Sequence, residues 1–340
     1  MKEIYLSKSK KTLLENFLSL SFLQVANYIF PLLTLPYLVR VLKPEKYGLI
    51  AFANAFVGYF MILTDYGFHL SAPREISINR DNKQKLSEIF SSVMIIKFFL
   101  VLFSLVLMTA TIFLFDKFRR DWLLYYLTFG VVLGNVMFPT WFFQGIENMK
   151  FITLLNLIAK LIFTVSIFVF VRKQADYYFV PLLNSLGFIV AGILSIFIVI
   201  KNFGVKFIIP VREQILHQLK EGWHVFISTV AVSLYTTSNT FILGLFTDRK
   251  NVAYFAAGEK IVRSIQSLWS PVSQVLYPYF SKVFAVSLDK ATQSFRKILN
   301  FTFLLTLLIS ILGCLSAPFF VKFLLGQDFE NAIPVVRILI

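Results

Sequence analysis

The chain carries nine or ten apolar stretches, each long enough to cross a bilayer, and several hold an ionisable residue partway along. A membrane span needs roughly 20 mostly apolar residues, and a charge inside one is costly enough to signal function. Together these features call for an integral helical bundle with polar groups in its interior. A soluble helical protein with a very apolar core fails on continuity. Residues 151–171 and 301–321 each contain at most one charged residue, where a soluble amphipathic helix shows charge on every turn or so. The 57% hydrophobic content, 15% charged content and mean hydropathy of +0.74 point the same way.

Spans are expected near 17–39, 47–66, 89–114, 122–144, 151–171, 178–200, 222–246, 252–284 and 299–322, with a tenth starting near Ala332. The eighth is longer than one crossing needs and contains Pro271 and Pro278, so it is expected to kink or to continue into the cytoplasm. The basic segment Met1 to Lys11 precedes an apolar run with no small-residue cleavage site, which reads as a retained span and not a signal peptide. Cys314 is the sole cysteine, so no intrachain disulfide can form.

The net charge of +15 does not imply nucleic acid, because Lys and Arg sit mostly in short segments between apolar runs, where they meet head groups and set orientation. With the N-terminus inside, the inside segments hold 17 Lys and Arg and the outside segments 11, which predicts a cytoplasmic N-terminus. The longest connections are 67–88 and 201–221. In the second, Ile209, Ile215, Leu216 and Leu219 interleave with Arg212, Glu213 and Lys220. That pattern predicts an interfacial helix over 201–221, joining an N-terminal lobe (1–200, six spans) to an incomplete C-terminal lobe (222–340). No soluble catalytic domain fits between spans.

A shift of 205 residues sets Val25-Ala26 on Val230-Ala231, Leu38 on Leu243, Ala51 on Ala256 and Pro73 on Pro278. It brings the first span onto the seventh in the same direction, the pattern of parallel repeats in two-lobed transporters.

Polar seams run inside the spans. Glu259, Arg263, Gln266, Ser270, Ser273 or Gln274, and Tyr277 step by three and four along one face, with Lys260 beside them. They form either a self-satisfied ion pair in dry packing or the wall of a hydrated cavity; the length of the seam favours the cavity. The seventh span offers Thr229, Ser233, Thr236 and Thr240, although such hydroxyls also serve packing alone. The first offers Gln24, Asn27 and Thr34, with Pro31 and Pro36 expected to bend it; the second offers Asn54, Gly58 and Asp65. Lys97 and Lys160 lie roughly 12–14 Å into their spans at 1.5 Å per residue, within partial reach of the interface. With Lys260 and Arg263 they make a cationic interior suited to an anion such as phosphate.

The sequence has no Gly-x-x-x-x-Gly-Lys loop for ATP. His69, His217 and His224 are scattered, without metal-ligand spacing, and no nucleophile–base arrangement can be named. No cofactor is expected; energy, if used, comes from an H+ or Na+ gradient or from substrate supply.

Leu35-Pro-Tyr-Leu-Val-Arg-Val-Leu-Lys-Pro-Glu-Lys-Tyr-Gly-Leu-Ile-Ala-Phe-Ala53, Leu63-Thr-Asp-Tyr-Gly-Phe68 and Ser71-Ala-Pro-Arg-Glu-Ile76 follow one another at characteristic spacing. Pro139-Thr-Trp-Phe-Phe-Gln-Gly-Ile-Glu147 and Ala253-Tyr-Phe-Ala-Ala-Gly-Glu-Lys-Ile261 come later. In these blocks the whole chain resembles the O-antigen and polysaccharide-biosynthesis flippases of the multidrug/oligosaccharidyl-lipid/polysaccharide exporter superfamily. The resemblance implies an all-α polytopic, V-shaped bundle of two lobes in the bacterial cytoplasmic membrane. Such a bundle moves undecaprenyl-diphosphate-linked oligosaccharide to the outer leaflet by alternating access, without catalytic chemistry. Its implied partners are membrane lipid, the glycan substrate, a polysaccharide polymerase and a chain-length regulator. Members have twelve or fourteen spans, so the last ones are expected to be missing here. Carried over by position are Asp65, Arg74, Glu75, Gln144, Glu147, Glu259 and Lys260. Two other functions stay open: an ion-coupled small-molecule exporter, which would want acidic residues to dominate the cavity, and a membrane polysaccharide polymerase, for which the longest outside segment, about 115–121, is short.

Overall fold

The computed structural model describes residues 2–266 and 288–340, and every regular element among them is helical. Helix α1 (Lys2–Asp65) is interrupted at Lys43, where φ is 60° and ψ 167°. Pro44 follows; it disfavours helical geometry in the residue before it and removes an amide donor, so the elbow falls there. Pro31 and Pro36 lie within the helix without interrupting it. A straight helix of 64 residues would be about 96 Å long, roughly three times the hydrocarbon thickness. The elbow folds it into two limbs lying side by side: Thr34 and Leu38 of the first and Ile50 and Asn54 of the second face one cavity.

The chain continues through α2 (Phe68–Ile78), α3 (Lys83–Leu114), the short α4 (Asp116–Arg119), α5 (Trp122–Met137), α6 (Thr140–Gly145), α7 (Met149–Phe170) and α8 (Phe179–Phe203). It then forms α9 (Arg212–Thr236), α10 (Ser238–Phe246), α11 (Arg249–Gln266), α12 (Leu288–Leu325) and α13 (Ile333–Leu339). Among the described residues six helical segments are long and apolar enough to cross a membrane, and α9 with α10, bent by 51° between them, makes a seventh. The chain is an all-α polytopic membrane protein.

The connection over 201–221 differs from the expectation. Helix α8 runs to Phe203, residues 204–211 are irregular, and α9 continues from Arg212 without a break into the seventh span. The amphipathic stretch is therefore the start of a transmembrane helix and not a separate one. Its apolar side, Ile215 and Leu219, packs on the core of α2 and α3. Two serines of α3 hold the irregular segment: Ser87 Oγ accepts from the Lys206 amide at 3.0 Å, and Ser91 Oγ accepts from the Ile208 amide at 2.8 Å.

Lipid tails are as apolar as Leu, so packing and hydrogen bonds hold such a bundle together more than water exclusion does. Helices α5 and α8 are joined in this way: Ser185 Oγ donates to the Leu127 carbonyl at 2.6 Å, and Ser195 Oγ to that of Met137 at 3.0 Å. On α3, Phe98, Phe99, Phe103 and Val106 are each more than half exposed and form lipid-facing surface, whereas the adjacent Lys97 is only 2% exposed. That lysine points into the bundle and does not reach for head groups.

Candidate functional site

A cavity of about 760 Å³ lies between the two limbs of α1, α7, α8, the α9–α10 bend and α11. Its polar lining comprises Thr34 and Asn54 from α1, Lys160 from α7, Asn184 from α8, Ser233, Thr237 and Thr240 from the bent pair, and Glu259, Lys260 and Arg263 from α11. Three cations thus face one carboxylate.

The bend explains where Arg263 goes. Thr236 Oγ1 donates to the Val232 carbonyl at 2.9 Å and Thr237 Oγ1 to that of Ser233 at 2.8 Å; such back-bonding bends helices while satisfying the backbone. Because α9 stops at Thr236, the carbonyl of that residue is left open, and Arg263 Nη2 donates to it at 2.8 Å. A cation here suits the negative end of the helix dipole. Arg263 also grips Glu259 Oε1 through Nε at 3.1 Å and Nη2 at 2.8 Å, and Thr240 Oγ1 donates to Glu259 Oε2 at 3.5 Å. The Arg263–Glu259 pair is therefore committed to holding the bend. Lys160 and Lys260 differ: neither ammonium has a hydrogen-bond or ion-pair partner among the described residues, and the charge of Lys160 is felt at Lys260.

Among the described residues, contacts between N-terminal and C-terminal helices cross both ends of the bundle. At the Lys43 end the α1 elbow packs on the start of α11, with Gly48 against the Arg249 carbonyl and the Ala253 amide. Arg249 Nη2 donates to the buried Asp121 at 2.5 Å, Arg40 to the Phe323 carbonyl at 2.6 Å, and Lys43 pairs with Asp328 at 2.7 Å. Buried Leu42 and Tyr47 limit the cavity on this side. At the Glu75 end, Gly67 with φ +78° turns the chain between α1 and α2 against the Gly222 carbonyl of α9. Tyr66 stacks on Phe226 at 5.0 Å. Glu75 accepts from Gln218 Nε2 at 2.5 Å and shares a hydrogen bond with His217 Nε2 at 2.6 Å.

Of the positions singled out from sequence, Thr34, Asn54, Gly58, Lys160, Ser233, Thr240, Glu259, Lys260 and Arg263 meet in the cavity. Lys97 does not, which corrects its placement in the lumen. Its ammonium lies 3.7 Å from Asp65, whose other oxygen pairs with His69 Nδ1 across the Gly67 turn. Lys97 is buried, so its charge depends on Asp65, and the pair runs from the bundle interior to the more exposed His69. Glu75 fastens α2 to α9. Arg74 is exposed on α2, and Gln144 is half-buried in α6. Glu147 takes a left-handed turn, with φ 58°, before α7 and accepts from Arg80 at 3.2 Å. Gln24, Asn27 and Gln266 lie outside the lining. Ser270, Ser273, Gln274 and Tyr277, with Pro271 and Pro278, fall outside the described residues.

Sequence reading missed Asn184 and Thr237 in the lining, and the Tyr59 hydroxyl that donates to Ser238 Oγ at 2.8 Å beside the bend. Asn184 carried a usable signal, a lone amide within an apolar helix. Among the described residues no group of His, Cys, Asp and Glu is placed to hold a metal ion.

Apolar crossings around a cation-rich chamber, with contacts between its halves at either end, have the build of a membrane transporter. The family described as "Polysaccharide biosynthesis protein" matches residues 13–284, and the chain belongs to it. A protein of Escherichia coli (strain K12) named "Putative O-antigen transporter" is 31% identical over 334 residues, 98% of this chain and 80% of that protein. One of the same name from Shigella dysenteriae is 31% identical over 272 residues, 79% of this chain and 67% of that protein. No solved structure matches the chain.

Proposed function

We propose that the chain moves an O-antigen-type repeat unit, linked through diphosphate to undecaprenol, from the cytoplasmic to the outer leaflet of the bacterial inner membrane by alternating access. The N-terminus is cytoplasmic in this reading, so the Lys43 end faces outward. The observation that carries it is the pair Lys160 and Lys260, two cations without an ion-pair partner among the described residues, on helices from the two halves of the chain and sharing one cavity. Like charges repel strongly where the dielectric is low, and a diphosphate between them turns that repulsion into attraction. A diphosphate with its sugars cannot cross hydrocarbon unaided, because every polar group would lose its water partners. The names of both relatives support the glycan side of the reading.

The test is the double variant Lys160→Gln/Lys260→Gln. Surface O-antigen should fall to background while the amount of protein in the membrane stays normal; normal surface polysaccharide overturns the reading. Arg263→Gln is a poorer probe, since it also releases the bend and should lower the protein level.

A further inference from the structure

A second cavity, of about 720 Å³, lies at the Lys43 end between the α1 elbow, α4 and the turn from α10 into α11, so its walls come from both halves of the chain. Four cations, Lys117, Arg120, Arg249 and Lys250, share it with the carboxylates of Glu45, Asp116 and Asp248. Three of these groups are already engaged. Lys117 Nζ donates to the Leu245 carbonyl near the end of α10 at 2.7 Å, Arg249 holds Asp121, and Asp248 Oδ1 accepts from the Asn251 amide at 2.9 Å, capping α11. Arg120, Lys250, Glu45 and Asp116 remain, and none of their side chains has a hydrogen bond or ion pair among the described residues. Two cations and two carboxylates thus line one cavity without pairing with each other.

The cavity lies where spans stop. Phe115, between the end of α3 and Asp116, is 53% exposed, and Phe246, which ends α10 next to Thr247, is 83% exposed. Trp122, which opens α5, is exposed too. Aromatic side chains at span ends mark the head-group level of a bilayer. Leu49, Phe52 and Val252 add apolar lining.

We propose that this cavity seats the head group of an amine-bearing zwitterionic phospholipid, a phosphatidylethanolamine, with its phosphate on Arg120 and Lys250 and its ammonium on Glu45 and Asp116. The proposal depends on neither the cargo nor the orientation of the chain. The charges decide the class of lipid. An anionic head group would satisfy the two cations and be repelled by the two carboxylates, whereas ethanolamine phosphate offers a partner to both kinds at once. Its ammonium donates charge-assisted hydrogen bonds; a choline, methylated at every position, donates none. Glu45, Asp116 and Arg120 belong to the first half of the chain and Lys250 to the second, so the bound lipid adds bonds across the Lys43 end.

The experiment reconstitutes the full chain in nanodiscs of equal parts phosphatidylcholine, phosphatidylethanolamine and phosphatidylglycerol, extracts it into detergent and counts the retained lipids by native mass spectrometry. The wild-type chain should keep phosphatidylethanolamine at least about tenfold over phosphatidylcholine, the effect of one charge-assisted hydrogen bond, and above phosphatidylglycerol. Glu45→Gln/Asp116→Asn should keep the two zwitterionic lipids alike, with phosphatidylcholine at its wild-type level, which also shows that the variant is folded; Asp116→Asn alone, at an exposed position, should already weaken the preference. Arg120→Gln/Lys250→Gln should lower retention of both. A preference that survives Glu45→Gln/Asp116→Asn, or a wild-type chain that keeps phosphatidylglycerol best, overturns the proposal. Glycerophosphoethanolamine, the same head group without tails, should fail to displace the lipid at equal concentration; displacement would assign the cavity to a soluble phosphodiester and overturn the lipid reading.

Discussion

Replacing Gly48 with Ala tests the closure of the Lys43 end. A Cβ at this position would stand 1.7 Å from the Arg249 carbonyl oxygen, 2.8 Å from its carbon and 3.0 Å from the Ala253 amide nitrogen. Ordinary contact begins near 3.5 Å, so the first turn of α11 must retreat by nearly 2 Å. Two effects compete. Alanine inside a helix is favoured over glycine by about 1 kcal/mol. Against this, overpacking costs about 1–3 kcal/mol, and the retreat pulls Arg249 off the buried Asp121, a charged hydrogen bond of about 1.5–3 kcal/mol. The half-exposed Lys43–Asp328 pair adds under about 1 kcal/mol. The clash wins, leaving about 1.5–6 kcal/mol against the closed end, or at least about tenfold in its population. The assay places a single cysteine at Asn54, in a chain with Cys314 replaced by serine, and applies a membrane-impermeant maleimide to each face separately. Labelling from the face next to the Lys43 end should accelerate at least about tenfold on this estimate, with surface polysaccharide reduced. Unchanged labelling from that face, at a normal protein level, would refute the reasoning.

Two further outcomes are expected. Asp65→Asn alone strands the buried Lys97 ammonium and should destabilise the protein by about 3 kcal/mol, whereas Asp65→Asn/Lys97→Met should recover most of that loss in thermal unfolding; additive effects would show that the two do not depend on each other. Ser91→Ala removes the partner of the Ile208 amide and should cost about 1 kcal/mol locally, read as faster hydrogen exchange over 204–211 with the transmembrane helices unaffected.

The positions of the spans were legible because a run such as 151–171 announces itself through length and apolarity, whatever it packs against. The breaks were less so. The Lys43 elbow has a local cause in Pro44, yet Pro31 and Pro36 looked equally able to interrupt the chain, and the helix runs on through both. The bend at Thr237 has no proline; two hydroxyls bonding back to helix carbonyls accompany it, and similar hydroxyls sit unbroken in α3. Among the charges, Lys160 and Lys97 read alike, each partway along an apolar helix. Only tertiary packing, which brings Asp65 to one and leaves the other beside Lys260, separates a structural lysine from a cavity lysine. The pairing of Glu259 with Arg263 followed from their spacing; the open carbonyl that Arg263 also takes could not.

The break at Thr237 lets the two pieces of one crossing keep separate sets of contacts. Helix α9 is tied by Glu75, Tyr66 and the serine-held segment before it to the first helices of the chain, while α10 packs on both α11 and the second limb of α1. A change in the angle between the two pieces can then be taken up as rotation about a few bonds at one joint, where threonine side chains already satisfy the carbonyls that bending would strip. An unbroken rod in that place would have to slide its whole length past its neighbours, giving up interdigitated side chains at every turn.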